Sequence, residues 1–120
     1  MINYDGRRFR AVTAEPQASS AVYRQDGDLV WAEFGGGHIR RGSLTGTCAP
    51  DGVVTFAYTM VLDDGAVISG RSVNTPEYLP DGRIQLHEVW ERYGVHAQRG
   101  TSTIVEVPGQ AAGPGMVIVT

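Results

Sequence analysis

Glu88 is the residue best placed to do chemistry. It lies in the run Ile84-Gln85-Leu86-His87-Glu88-Val89-Trp90-Glu91-Arg92. Side chains alternate along a strand, so Ile84, Leu86, Glu88, Trp90 and Arg92 share one face. Arg83, Gln85, His87, Val89 and Glu91 share the other. A carboxylate on the apolar face loses hydration, its pKa rises, and it can act as a general acid or base near neutrality. Two other readings stay open. Glu88 is held in an interior salt bridge with Arg41 or Arg71, because buried carboxylates are usually paired, or the facing is reversed and it meets solvent.

Around Glu88 the same parity collects a lining. Trp90, Tyr58, Phe56, Phe34 and Met60 are expected on the enclosed side, and aromatic walls with a few polar groups are what a small-ligand pocket uses. The plainer alternative is that Phe56 and Met60 fill the interior, whereas Tyr58 and Trp90 have polar tips that need partners. Arg41 or Arg71, if turned inward, would hold an anionic ligand group bidentately. Arg10 and Arg40 read as solvated. The three histidines, His38, His87 and His96, have no metal-ligand spacing, so no metal is expected, and no cofactor either. His87 should face away from Glu88. Cys48 lies beside a turn and reads as a bystander.

Several chemistries are excluded outright. All ten basic residues are Arg, so a Lys Schiff base or a Walker lysine is ruled out. Gly35-Gly36-Gly37 lacks the elements of a phosphate loop, and no G-x-S-x-G elbow exists. The net charge of −3 argues against a nucleic-acid partner.

The elements that must position these residues are strands. Five Asp-Gly pairs, beginning at Asp5, Asp26, Asp51, Asp64 and Asp81, punctuate apolar β-branched runs. Asp-Gly suits the tight primed turns of hairpins. Strands are expected at 7–13, 20–25, 29–35, 38–48, 53–62, 66–73, 83–93 and 101–107. A polar loop with Pro16 separates the first two. Gly42 and Gly46 suggest bends or a bulge in the fourth. Loop 74–82 (NTPEYLPDG) carries any helical turn, near 75–79. About eight strands joined in order by short turns predict an all-β, up-and-down antiparallel barrel, whose closure removes exposed edges. Such a barrel encloses packed side chains or one small ligand.

The 120 residues make one domain with a real core. Residues 1–107 read as the barrel, and 108–120 as a Gly/Pro linker with a strand-like tail, which would dock on this sheet or on a second subunit. The lone cysteine fits a reducing compartment. The N-terminus has no apolar leader core, and no apolar run approaches a membrane span of about 20 residues. A cytoplasmic protein without a membrane partner is expected.

The segments INYDGRRF, GGGHIRRGSLTGT, PEYLPDGRIQLHEVWER and GTSTIVEV together resemble a family of short bacterial proteins labelled "N-acetylglutamate synthase". The resemblance spans roughly residues 2–107. It implies a calycin-like barrel, similar in plan to lipocalins and avidins. Cofactor-free cyclases are built on similar barrels.

Three functions follow. The first is a barrel binding one small, largely apolar organic ligand, with Glu88 or an Arg holding its polar end. The second is a cofactor-independent cyclase or isomerase using Glu88 as acid/base. The third is a packed, cavity-free structural protein, with a homodimer open in each case. An interior of about 300 Å³ or more favours the first two.

Overall fold

The computed structural model describes residues 1–14 and 18–107. Pro16 and the tail 108–120 lie outside the described residues. Eight antiparallel strands follow one another in sequence order and close into a barrel, as their patterning predicts. They are β1 (Arg8–Ala11), β2 (Ser20–Asp26), β3 (Leu29–Gly36), β4 (Ile39–Cys48), β5 (Val54–Leu62), β6 (Val67–Tyr78), β7 (Ile84–Arg92) and β8 (Gln98–Glu106). The seam is the antiparallel pairing of Phe9, Arg10 and Ala11 with Glu106, Val105 and Ile104.

Three boundaries differ from expectation by two or more residues: β1 ends at Ala11, β8 begins at Gln98, and β6 runs on to Tyr78. The residues read as a loop from Asn74 onward belong to β6, and no helical turn forms at 75–79. Pro76 misled the reading. It sits opposite Leu86 on β7, beyond the last β5–β6 pair, Val54 with Asn74. A strand paired on one side only tolerates a residue without an N–H. Among the described residues, the single helical turn is the 3₁₀ segment Gly94–His96 between β7 and β8.

The Asp-Gly pairs do mark turns. Asp26-Gly27 makes the expected primed one: Asp26 pairs with Leu29 across the two-residue loop 27–28, with φ 62° at Gly27 and no positive φ at Asp28, the type II′ pattern. Three others differ. In 49–53, 62–66 and 79–83 the glycine N–H bonds back to the carbonyl of Ala49, Leu62 or Leu79 at 2.9 Å. Glycine then takes positive φ, 87° at Gly52 and Gly65 and 90° at Gly82, which closes a three-residue loop with a glycine bulge. The preceding Asp carboxylate accepts from the N–H two residues on, as with Ala66 N to Asp64 Oδ1 at 2.9 Å. Asp supplies this brace, and no described non-glycine residue has to adopt positive φ.

The glycines of β4 serve another purpose than bending. Four interior aromatics lie across the ladder from a glycine: Phe34 from Gly42, Phe56 from Gly46, Tyr58 from Gly70 and Trp90 from Gly100. A Cβ on Gly100 would stand 2.5 Å from the Trp90 ring, and one on Gly70 would stand 2.7 Å from the Tyr58 hydroxyl. At Gly42, Gly70 and Gly100 the missing side chain is space that the facing ring occupies.

The two ends of the barrel differ. At one, the N-terminal segment folds in as a plug. Tyr4, Phe9 and Tyr23 stack edge-on and tilted, with ring centroids 5.2–6.2 Å apart. Tyr4 donates its hydroxyl proton to the Gly52 carbonyl at 2.6 Å, and its N–H goes to Gln25 Oε1 at 2.9 Å. Val30, Cys48, Val54, Ile84 and Leu86 complete this buried end. At the other end, Val12, Ser19, Ile39, Met60 and Arg92 surround an opening.

Candidate functional site

That opening leads into a cavity of about 270 Å³, slightly under the ~300 Å³ at which ligand pockets begin. Its walls include Phe34, Phe56, Tyr58, Met60 and Trp90, and Glu88 and Arg92 also line it. The aromatic residues singled out from strand parity are therefore brought together. Phe34 and Phe56 each meet Tyr58 edge-to-face, at 6.5 and 6.2 Å.

The polar part of the cavity is a row across three strands. Asn74 on β6, Glu88 on β7 and Ser102 on β8 are successive ladder partners. Asn74 Nδ2 donates to Glu88 Oε2 at 2.8 Å, and Ser102 Oγ donates to Oε1 at 2.8 Å. Ser72 Oγ donates to Asn74 Oδ1 at 2.6 Å. The bonds all run toward the carboxylate, and each oxygen keeps further acceptor capacity. Burial pushes the Glu88 carboxyl above the usual carboxylate range, and the Ser102 and Asn74 bonds oppose that shift. The buried Tyr23 phenol is pushed up by its own burial and then by the Glu88 charge.

Neither expected arginine reaches Glu88. Arg41 and Arg71 are exposed on the outer wall, because their strand positions have the parity opposite to Leu44 and Ser72. Arg41 pairs with Glu33 at 2.6 Å. The interior salt bridge is replaced by neutral donors. Arg92 is the cation that does enter the cavity, and strand parity had already put it on the Glu88 face. Its guanidinium lies over the Trp90 ring, 5.2 Å from the centroid. Tyr58, whose phenol is pushed up by burial, is partly relieved by the charge and hydrogen bond of Arg92. Arg92 Nε is buried and has no partner.

The histidines stand apart from this site. His87 Nε2 lies 2.6 Å from Glu77 Oε1, and His38 Nδ1 lies 3.0 Å from Asp63 Oδ2, both on the surface. His96 is exposed in the 3₁₀ turn. Among the described residues no group of three or more His, Cys, Asp or Glu side chains is placed to hold a metal ion. Cys48 is buried at the plugged end, where desolvation pushes its thiol up. Among the described residues no helix is long and apolar enough to cross a membrane.

Sequence reasoning missed Ser72, Asn74 and Ser102 as parts of the site. Asn74 falls in the expected loop 74–82. Ser102 and Ser72 carry no signal of their own until the register aligns them with Glu88.

A family model described as "Avidin-like protein" matches residues 2–107. The match carries the avidin part of the expected likeness and nothing of the synthase label. No curated protein and no solved structure matches the chain.

Proposed function

This chain belongs to the avidin-like protein family, and from that premise we propose that its open lumen binds one small, largely apolar organic molecule, with Glu88 accepting a hydrogen bond from the molecule's polar end. One observation carries the reading: a carboxylate held by Asn74 and Ser102 inside an aromatic-walled cavity that is open at one end. A purely structural barrel has no need of an interior acid, which costs desolvation that neutral donors only partly offset. Gly42, Gly70 and Gly100 leave room at the wall for the Phe34, Tyr58 and Trp90 rings.

A second reading rests on the elevated Glu88 pKa. A half-buried acid of this kind suits proton transfer in a cyclase or isomerase. The aromatic walls would then shape a substrate.

Native mass spectrometry of gently purified protein tests the binding reading. A retained or added small molecule should appear as a discrete mass increment. Ala21→Trp, which fills the cavity wall, should abolish it. An increment that survives Ala21→Trp places the molecule elsewhere and overturns the reading. For the second reading, Glu88→Gln should keep a bound substrate but stop its conversion.

A further inference from the structure

Charge in the lumen is arranged in an unusual way. Glu88 and Arg92 lie on the same face of β7, yet they are not paired. Trp90 stands between them on that face, and Arg92 lies over its ring. Glu88 has only neutral partners, Asn74 and Ser102. Arg92 has a buried Nε without a partner. The lumen thus holds one negative and one positive group whose charges no described protein side chain neutralises.

A ligand that excludes solvent from the cavity must supply partners to both groups, because an unpaired charge in a desolvated site is costly. Resting on the lumen-binding reading above, we infer that the ligand is a two-ended dipolar molecule, with a cationic nitrogen at Glu88, an anionic group at Arg92 and an apolar body along Trp90. The cation end has a further attraction, because the carboxylate keeps free lone pairs. At the anion end the Arg92 guanidinium supplies donors. The Tyr58 hydroxyl, already in contact with Arg92, can turn its proton to the same group.

Spacing narrows the class further. Four residues of strand put the Glu88 and Arg92 Cα atoms roughly 13 Å apart. Because both side chains reach into the lumen, the ligand's charges should be about 10 Å apart. An α-amino acid is too short, whereas an ω-amino acid with a chain of about eight carbons fits.

Isothermal titration calorimetry with five probes decides the matter: ω-aminooctanoate, octylamine, octanoate, octanol and γ-aminobutyrate. The expected result is that ω-aminooctanoate binds at least tenfold more tightly than each of the others. Glu88→Gln should remove its advantage over octanoate, and Arg92→Gln its advantage over octylamine, with circular dichroism confirming the fold. If either variant fails to fold, the ranking of the five probes on the unaltered protein still decides. Octanol binding as tightly as ω-aminooctanoate overturns this inference and leaves the lumen-binding reading standing. An advantage over octanoate that persists in Glu88→Gln also overturns it. Failure of every probe to bind overturns the inference and the lumen-binding reading together.

Discussion

Asn74 stands directly across from Glu88 in the β6–β7 ladder, and its side-chain amide donates a 2.8 Å hydrogen bond to Glu88 Oε2. Asn74 is fully buried, so its amide has no solvent alternative. Asn74→Leu should leave the Ser72 hydroxyl without its acceptor and the carboxylate without one of its two donors. A loss of about 1–3 kcal/mol is expected for the unsatisfied groups, read as a lower midpoint in urea denaturation. An unchanged midpoint would remove the network from the account of stability.

The Glu88 carboxyl gives the protein a pH signature. Its folded pKa is raised above the ordinary value of 4.5, so the folded state binds more protons than the unfolded state between the two values. Stability must therefore fall as pH rises from 4.5 to the folded value, and level off above it. Surface carboxylates such as Asp63, lowered by its hydrogen bond to His38, act in the opposite sense at lower pH. Denaturation of the wild type and Glu88→Gln across pH isolates the effect. The wild type should lose stability relative to the variant as pH climbs through that window. A gap that is constant with pH contradicts the buried carboxyl.

The glycine–aromatic pairs predict a ranking. At Gly46 an added Cβ would strike the backbone of β5, including Phe56 Cα at 2.6 Å, and strand backbone cannot step aside. At Gly42 the obstacle is the Phe34 ring alone, which can rotate into the open lumen. Gly46→Ala should therefore cost about 1–3 kcal/mol, and Gly42→Ala less than that, on the scale of overpacked cores. Gly42→Ala should also narrow the cavity. Equal costs in a denaturant titration would show that the strand spacing is not the constraint.

Much of this was legible from parity. The alternation in β5 puts Phe56, Tyr58 and Met60 on one side. The alternation in β7 does the same for Leu86, Glu88 and Trp90, and one buried face fixes the register of both. What parity could not supply is the identity of cross-strand neighbours. Ser102 meets Glu88 only because β8 pairs in one register. Arg41 or Arg71 is a candidate partner for Glu88 on chemistry alone, but both stand on the outer wall, where Glu33 answers Arg41. Asn74 was hidden by Pro76, a residue that ends most strands but not one with a free side. The plug formed by Tyr4 had no periodic signal, because it rests on two hydrogen bonds to distant residues.

That plug yields a paired prediction. Tyr4→Phe keeps the ring contacts with Phe9 and Tyr23 and loses only the 2.6 Å bond to the Gly52 carbonyl. It should cost about 1 kcal/mol. Tyr4→Ala empties the end of the barrel and should cost about 3–5 kcal/mol, as for other large-to-small core changes. Thermal or urea melts measure both. A Tyr4→Ala protein as stable as wild type would mean that the barrel is closed by other residues.

Methyl-resolved NMR during titration with octanol tests most directly whether the lumen is the binding site. The account predicts progressive shifts at the lumen methyls of Leu44, Met60 and Ile104, while the exposed outer methyls of Val67 and Val89 stay in place. Shifts confined to Val67 and Val89, or none at Leu44, Met60 and Ile104 at saturating octanol, would contradict it.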